Sequence, residues 1–137
     1  MLSEFLRMAL RLFKRHRPPE IWDERVEQPI GDIEAAQRIR DICRSIAESA
    51  EKVAGFAGNL DSKKKKREAE RYEQAARAAM TTAMKIADDL LRDSAVRQIV
   101  ELCVKANDLT RARILFRAIQ ATSIREEVLR EHPLLEQ

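Results

Sequence analysis

Apolar side chains recur every three or four positions along most of this chain, and this spacing constrains its fold more than any other feature. Such a period places the apolar residues on one face of a helix and leaves the charged residues on the other. Residues that break helices are scarce among the 137, with three glycines and four prolines, while charged residues make up 36%. The sequence therefore predicts an all-α protein whose helices each bury one face.

Two long segments, about 32–57 and 62–91, are predicted to form an antiparallel helical hairpin, since a connection of a few residues returns the chain on itself. Asp32 is the expected N-cap of the first helix, and Gly58 supplies the left-handed residue that ends it. Asp61 or Ser62 is the expected cap of the second. Alanine-rich stripes predict closely spaced helix axes. The stripes include Ile33, Ile39, Ile42, Cys43 and Ile46 in the first helix and Tyr72, Ala76, Ala79, Ile86 and Leu90 in the second.

Three shorter helices are predicted at the C-terminal end, at about 94–106, 110–121 and 124–131. Asn107-Asp108 forms the turn between the first two, because both residues tolerate left-handed backbone and cap helices. A capping box beginning at Ser123 opens the third, and Pro133 ends it. The predicted organisation is an amphipathic basic helix within residues 1–17 (about 3–16), a proline-containing linker at 18–31, and a single α-helical domain at 32–137.

Residues 93–126 also carry a family-like pattern. Ile99 stands where a helical-hairpin family has a leucine in its first helix, and Asn107-Asp108 stands at the turn. Ala112 and Phe116 stand at the small and aromatic positions of the second helix. In this pattern the segment resembles a tetratricopeptide-type hairpin. A fainter similarity, displaced by 28 or 29 positions, relates residues 83–100 to 112–129. The resemblance implies stacked hairpins that bind a protein or peptide. It departs from the family at Val100, Cys103, Ile119 and Ile124, where glycine, tyrosine, alanine and proline are usual.

Positive charge is concentrated in two segments that are candidate contacts for a partner or an anion. The N-terminal segment is best interpreted as a helix docked on its own domain or oligomer, and the alternatives are a helix lying on an anionic membrane surface, a targeting segment or a contact for another partner. The second segment, residues 63–67, is either a solubilising charge run or a contact for anionic lipid or nucleic acid. No aromatic residue is interleaved with its lysines, which disfavours nucleic acid. The candidate residues are Arg7, Arg11, Lys14 and Arg15 in the first segment and Lys63, Lys64, Lys65 and Lys66 in the second.

Trp22, within the linker, has two interpretations. It either anchors the linker on the helices or contacts a partner protein, because tryptophan is common at binding hot spots.

Motifs of known catalytic or metal-binding chemistry are missing from the sequence. His16 and His132 belong to no zinc motif, and Cys43 and Cys103 form no C-x-x-C pair. Both cysteines fall on apolar stripes, which predicts buried reduced thiols, and no apolar run approaches the length of a membrane span. We therefore expect a cytoplasmic, non-enzymatic helical module, without cofactor or metal, that binds another protein or itself as a homodimer. The alternative is an anionic-surface binder.

Overall fold

The computed structural model describes residues 19–23 and 30–136, and every regular element in those ranges is helical, which confirms the all-α prediction. The N-terminal helix predicted at about 3–16 lies outside the described residues. The helices are α1 (Asp32–Gly55), α2 (Lys63–Ala83), α3 (Asp89–Lys105), α4 (Leu109–Ala118) and α5 (Thr122–Glu131), with short 3-10 helices at Ile21–Asp23 and Pro133–Glu136.

Helices α1 and α2 form a long antiparallel hairpin. Asp32, the first residue of α1, accepts hydrogen bonds from the backbone N–H groups of Ala87 (3.0 Å) and Asp88 (2.9 Å), just beyond the end of α2. Toward the other end of α1, the Ser49 hydroxyl accepts a hydrogen bond from Arg71 in the first half of α2 (2.9 Å). Small side chains are buried along both helices, and small residues allow helix axes to approach closely. The buried alanines of the hairpin are Ala35, Ala50, Ala75, Ala76, Ala79 and Ala83.

The second long helix is shorter than the sequence predicts. It ends at Ala83 rather than near residue 91, and α3 begins at Asp89 rather than near residue 94. Asp32 is not the N-cap of α1, a position that Gly31 occupies. Its carboxylate instead holds the α2–α3 loop, and Asp88 then caps α3 by accepting a hydrogen bond from the Leu91 N–H group (2.8 Å). Hydrophobic spacing misses this break because the apolar period continues across it.

Two large residues predicted to be core, Ile33 and Leu90, are exposed instead, at 81% and 65%, as are the smaller Ala57 and Ala87. Ile33 and Leu90 both lie in the first turn of a helix, at the end of the hairpin where Asp32 holds the α2–α3 loop. Met84, which is 79% exposed, follows α2 at the same end. This end of the molecule therefore presents three large apolar side chains to solvent. Of the other predicted stripe residues, Cys43 is half-buried, and Ile39, Ile42, Ile46, Tyr72, Ala76, Ala79 and Ile86 are buried.

Helices α3 and α4 form a second, shorter hairpin whose turn lies where the sequence predicts it. Asn107 adopts a left-handed backbone with φ of 59°, and Asp108 caps α4 by accepting a hydrogen bond from the Arg111 N–H group (3.3 Å). Helix α3 packs against both α1 and α2, so the two hairpins share one core.

Asp93 repeats in the second hairpin the role that Asp32 plays in the first. It is 2% exposed, and its carboxylate accepts hydrogen bonds from the N–H groups of Gln120 (3.3 Å) and Ala121 (2.9 Å), just before α5. The capping box predicted at Ser123 is wrong, because α5 begins at Thr122 and its N-cap is Ala121. The first N–H groups that the two aspartates hold are those of Ala87 and Gln120, which are 33 positions apart.

Part of the predicted linker is packed on the domain. Trp22 is 7% exposed and lies in the 3-10 helix Ile21–Asp23, which contacts both α1 and α2. The Arg71 guanidinium stacks over the Trp22 ring at 5.8 Å and donates a hydrogen bond to Glu20 at 2.8 Å. Its burial favours the anchoring interpretation of Trp22 over that of an exposed contact.

Candidate binding cleft

An open cleft of about 410 Å³ lies between the α1–α2 loop and the α3–α4 turn. This volume falls within the range of about 300–1,000 Å³ that is usual for ligand pockets. The apolar side chains that line it are small, four alanines and one valine, and their small size leaves the space open. The lining residues are Val53, Ala54, Ala57 and Gly58 of α1 and its loop, Ala69, Tyr72 and Glu73 of α2, and Ala106, Asn107, Asp108 and Arg111 of the α3–α4 turn.

Left-handed backbone conformations shape both sides of the cleft. Ala57 (φ of 49°) and Gly58 (φ of 80°) follow the end of α1, and Asn107 (φ of 59°) follows the end of α3. Glycine and asparagine adopt this conformation readily, whereas alanine does so at a cost in backbone strain. The chain therefore turns sharply after each helix, and the cleft lies between the two turns.

The polar wall of the cleft is the Tyr72 network, which comprises Tyr72, Glu73, Asp108 and Arg111. The Tyr72 hydroxyl donates a hydrogen bond to Asp108 Oδ2 (2.8 Å). Arg111 Nη1 donates to the same oxygen at 2.6 Å, and Arg111 Nη2 donates to Glu73 Oε1 at 2.7 Å. These bonds join α2 to the α3–α4 turn, so the wall is fixed before any ligand arrives.

Burial and hydrogen bonding fix the protonation of Tyr72 and Arg111 near neutral pH. Burial, with hydrogen bonds to Cys103 and Asp108, raises the pKa of Tyr72, so its hydroxyl stays protonated. Burial alone would lower the pKa of Arg111, but its bonds to Glu73 and the nearby charge of Asp108 raise that pKa above its ordinary value. Tyr72 and Arg111 thus offer the cleft fixed hydrogen-bonding groups, and neither of these two side chains titrates near pH 7.

The two cysteines are poor nucleophiles. Burial raises the pKa of Cys103 to about 11 and that of Cys43 to about 12. Because the thiolate is the reactive form of cysteine, both side chains are almost wholly unreactive at neutral pH. The sequence predicts both to be buried, and this holds fully for Cys103, whereas Cys43 is half-buried.

The basic run, residues Lys63–Arg67, lies beside the cleft. It forms the first turns of α2, which Ser62 caps by accepting a hydrogen bond from the Lys65 N–H group (3.1 Å). Lys65 and Lys66 precede Ala69 of the cleft by four and three positions, which places all three on one helix face. Of the four lysines predicted as contacts, Lys65 and Lys66 therefore share the helix face of the cleft, whereas Lys63 and Lys64 lie further around the first turn of α2. Arg7, Arg11, Lys14 and Arg15 lie outside the described residues.

A second polar cluster joins α3 to α5. The Glu101, Glu131 and His132 side chains place one oxygen or nitrogen atom each within 4.8 Å of one another. Arg97 occupies the same carboxylates, donating hydrogen bonds to Glu127 and to Glu131 (3.0 Å) and pairing with Glu101 at 3.5 Å. We interpret this cluster as a network of ion pairs that holds α5 against α3.

The Tyr72 network is the part of the site that the sequence does not reveal. A tyrosine on an apolar stripe signals that its hydroxyl needs a buried partner. Asp108, however, lies 36 positions away and looks like a local helix cap. Comparison with known proteins adds nothing further, because no protein-family model, curated protein or solved structure matches the chain.

Proposed function

We propose that this chain is a non-enzymatic helical module that holds a segment of a partner protein in the cleft between the α1–α2 loop and the α3–α4 turn. The observation that carries the proposal is a cleft of peptide side-chain size with small apolar residues on one side and the Tyr72 network on the other. Because that network is already hydrogen-bonded, a bound segment would have few side chains to order, which favours binding.

Two further features support a binding role. The α3–α4 hairpin buries Ile99, Ala112 and Phe116, on which the resemblance to a tetratricopeptide-type hairpin rests, and hairpins of that type stack into scaffolds that bind partners. The raised pKa values of Cys43 and Cys103 do not suit nucleophilic catalysis at neutral pH. Thiols that stay reduced also fit the proposed cytoplasmic location. None of the helices in the described ranges is long and apolar enough to cross a bilayer.

The test fills the cleft with a larger side chain. Ala69→Phe places a ring in the cleft from a half-buried position, and Ala118→Phe, at an exposed position on α4, is the matched control. Each variant and the parent chain would be used as bait in quantitative affinity capture, and any recovered protein would be titrated directly by calorimetry.

We expect Ala69→Phe to lose the partner and Ala118→Phe to keep it, while both retain the circular-dichroism spectrum of the parent. A partner that binds Ala69→Phe with unchanged affinity would contradict the proposal, because binding would then occur on another surface.

A further inference from the structure

We infer that the segment bound in the cleft is acidic, with an apolar residue seated in the cleft and aspartate or glutamate residues lying along the basic run Lys63–Arg67. This inference rests on the proposed function and adds the chemistry of the partner. It begins from the distribution of charge around the cleft.

The charges inside the cleft already compensate one another. Asp108 receives hydrogen bonds from Tyr72 and Arg111. Glu73 receives one from Arg111 and another from Arg77 at 3.1 Å. A partner therefore meets hydrogen-bonding groups in the cleft itself and little net charge.

The charge of the basic run is largely uncompensated. Lys65 pairs with Asp61 at 3.6 Å and lies over the Phe56 ring at 5.7 Å. Its four neighbours, Lys63, Lys64, Lys66 and Arg67, are exposed and make no ion pair within the described part of the chain. The N-terminus of α2 adds the positive end of the helix dipole at the same place. Positive charge is therefore concentrated at the N-terminal end of α2, next to Ala69 of the cleft.

The distance between cleft and basic run suits a short peptide. Helix rise places Lys63 about 9 Å along the axis from Ala69. An extended peptide covers that distance in about three residues. A segment with one apolar residue in the cleft would thus bring residues within three positions of it onto the lysines.

Rival ligands fit this arrangement less well. A nucleic acid would want exposed aromatic rings for base stacking, and the Phe56 ring beside the run is already covered by Lys65. A membrane surface would engage the lysines without using the concave cleft. An acidic peptide is the ligand that uses both, and its attraction to the run would also speed its association.

The test selects ligands without presuming a partner. A phage-displayed library of random dodecapeptides would be panned on the intact chain, and enriched peptides would be synthesised for titration. The key variant is the triple charge reversal Lys63→Glu, Lys64→Glu and Lys66→Glu. The matched control reverses the same number of exposed charges elsewhere, with Lys85→Glu, Arg117→Glu and Arg130→Glu.

We expect the enriched peptides to combine acidic and apolar residues. Their affinity should fall about tenfold or more in the lysine reversal and stay within about twofold in the control. It should also weaken as sodium chloride rises from about 50 to about 300 mM, since salt screens exposed charges. Ala69→Phe should abolish binding of the same peptides.

Each contrary result has a separate meaning. Peptides lost by Ala69→Phe but kept by the lysine reversal would overturn the acidic inference and leave the cleft-binding proposal standing. Peptides kept by both variants would overturn both. Vesicles containing phosphatidylserine or a DNA duplex that bind more tightly than any peptide, with Ala69→Phe without effect, would show that the basic run serves a polyanion and would also overturn the inference.

Discussion

At the scale of single residues, two carboxylates hold the loops that close the helical hairpins. Asp93 is buried, and its partners are backbone N–H groups of Gln120 and Ala121 rather than a cation. Asp32 binds Ala87 and Asp88 in the same way at the surface. Each carboxylate therefore fixes where one helix stops and the next begins.

Replacing Asp93 with alanine should destabilise the protein by about 2–3 kcal/mol, because two backbone N–H groups in part-buried hydrogen bonds would lose their buried acceptor. Urea denaturation followed by circular dichroism would measure the loss. Asp89→Ala removes an exposed carboxylate from the same helix, and we expect it to cost less than about 1 kcal/mol. Equal losses of stability in the two variants would count against the idea that Asp93 holds the loop before α5.

Asp32 should make the free energy of unfolding depend on pH in the acid range. Hydrogen bonds from the Ala87 and Asp88 N–H groups hold the pKa of Asp32 below its ordinary value of 3.8. A carboxylate with a lowered folded-state pKa stabilises the fold above its unfolded pKa, and that contribution is lost as pH falls through the folded pKa. The difference in unfolding free energy between the parent and Asp32→Asn should therefore be largest near neutral pH and shrink below about pH 4. Urea titrations at several pH values, with Asp89→Asn as control, would check this, and a pH-independent difference would refute it.

The sequence identifies residues able to cap, but it does not show which N–H groups they bind. Asp32 looks like a local cap, yet its partners lie 55 and 56 positions away. Asp108, by contrast, caps α4 as predicted and also binds Tyr72 across the core. Local patterns predict that a residue caps the helix next to it. They do not predict long-range contacts, which depend on how the helices pack.

At the scale of elements, the alanine seam sets how closely α1 and α2 approach. Ala79 is fully buried at its centre, so Ala79→Leu should overpack the seam and cost about 1–3 kcal/mol. Thermal melting would detect the lower midpoint. Ala118→Leu introduces the same side chain at an exposed position and should leave the midpoint nearly unchanged. An unaltered melting point for Ala79→Leu would mean that the seam can widen freely.

Apolar spacing predicts which segments are helical better than it predicts where each helix ends. It places α1, α3, α4 and α5 to within a few residues, but it joins the start of α3 to the end of α2. The reason is visible at Leu90, which continues the apolar period of α2 and is nevertheless exposed in the first turn of α3.

At the scale of the whole molecule, one core extends from Trp22 to Leu135 and includes residues of each helix from α1 to α5. Such a core should unfold cooperatively. Trp22, the sole tryptophan, reports the packing of the 3-10 helix Ile21–Asp23, whereas far-ultraviolet circular dichroism reports the helices. We expect both signals to give the same urea midpoint. A fluorescence transition at lower urea would show that this segment detaches before the helices melt.

The candidate site is only partly predictable at this scale. The basic run is visible in the sequence because its residues are adjacent. The cleft is not, since it forms only when the α1–α2 loop and the α3–α4 turn are brought together by packing of the two hairpins. A site assembled from separate segments leaves no local pattern to find.

The repeated aspartate clamps make the architecture extensible. Residues 88–121 form a unit that begins with Asp88, the N-cap of α3, and finishes with the loop held by Asp93, so a duplicate inserted after position 121 would keep its own cap and meet Thr122 through the junction that already exists there. The 3-10 helices Ile21–Asp23 and Pro133–Glu136 would keep their places, and the stack of helices would be longer by one hairpin. Lengthening in whole hairpins offers this chain a route to a longer surface, with new side-chain packing where each added hairpin meets its neighbours.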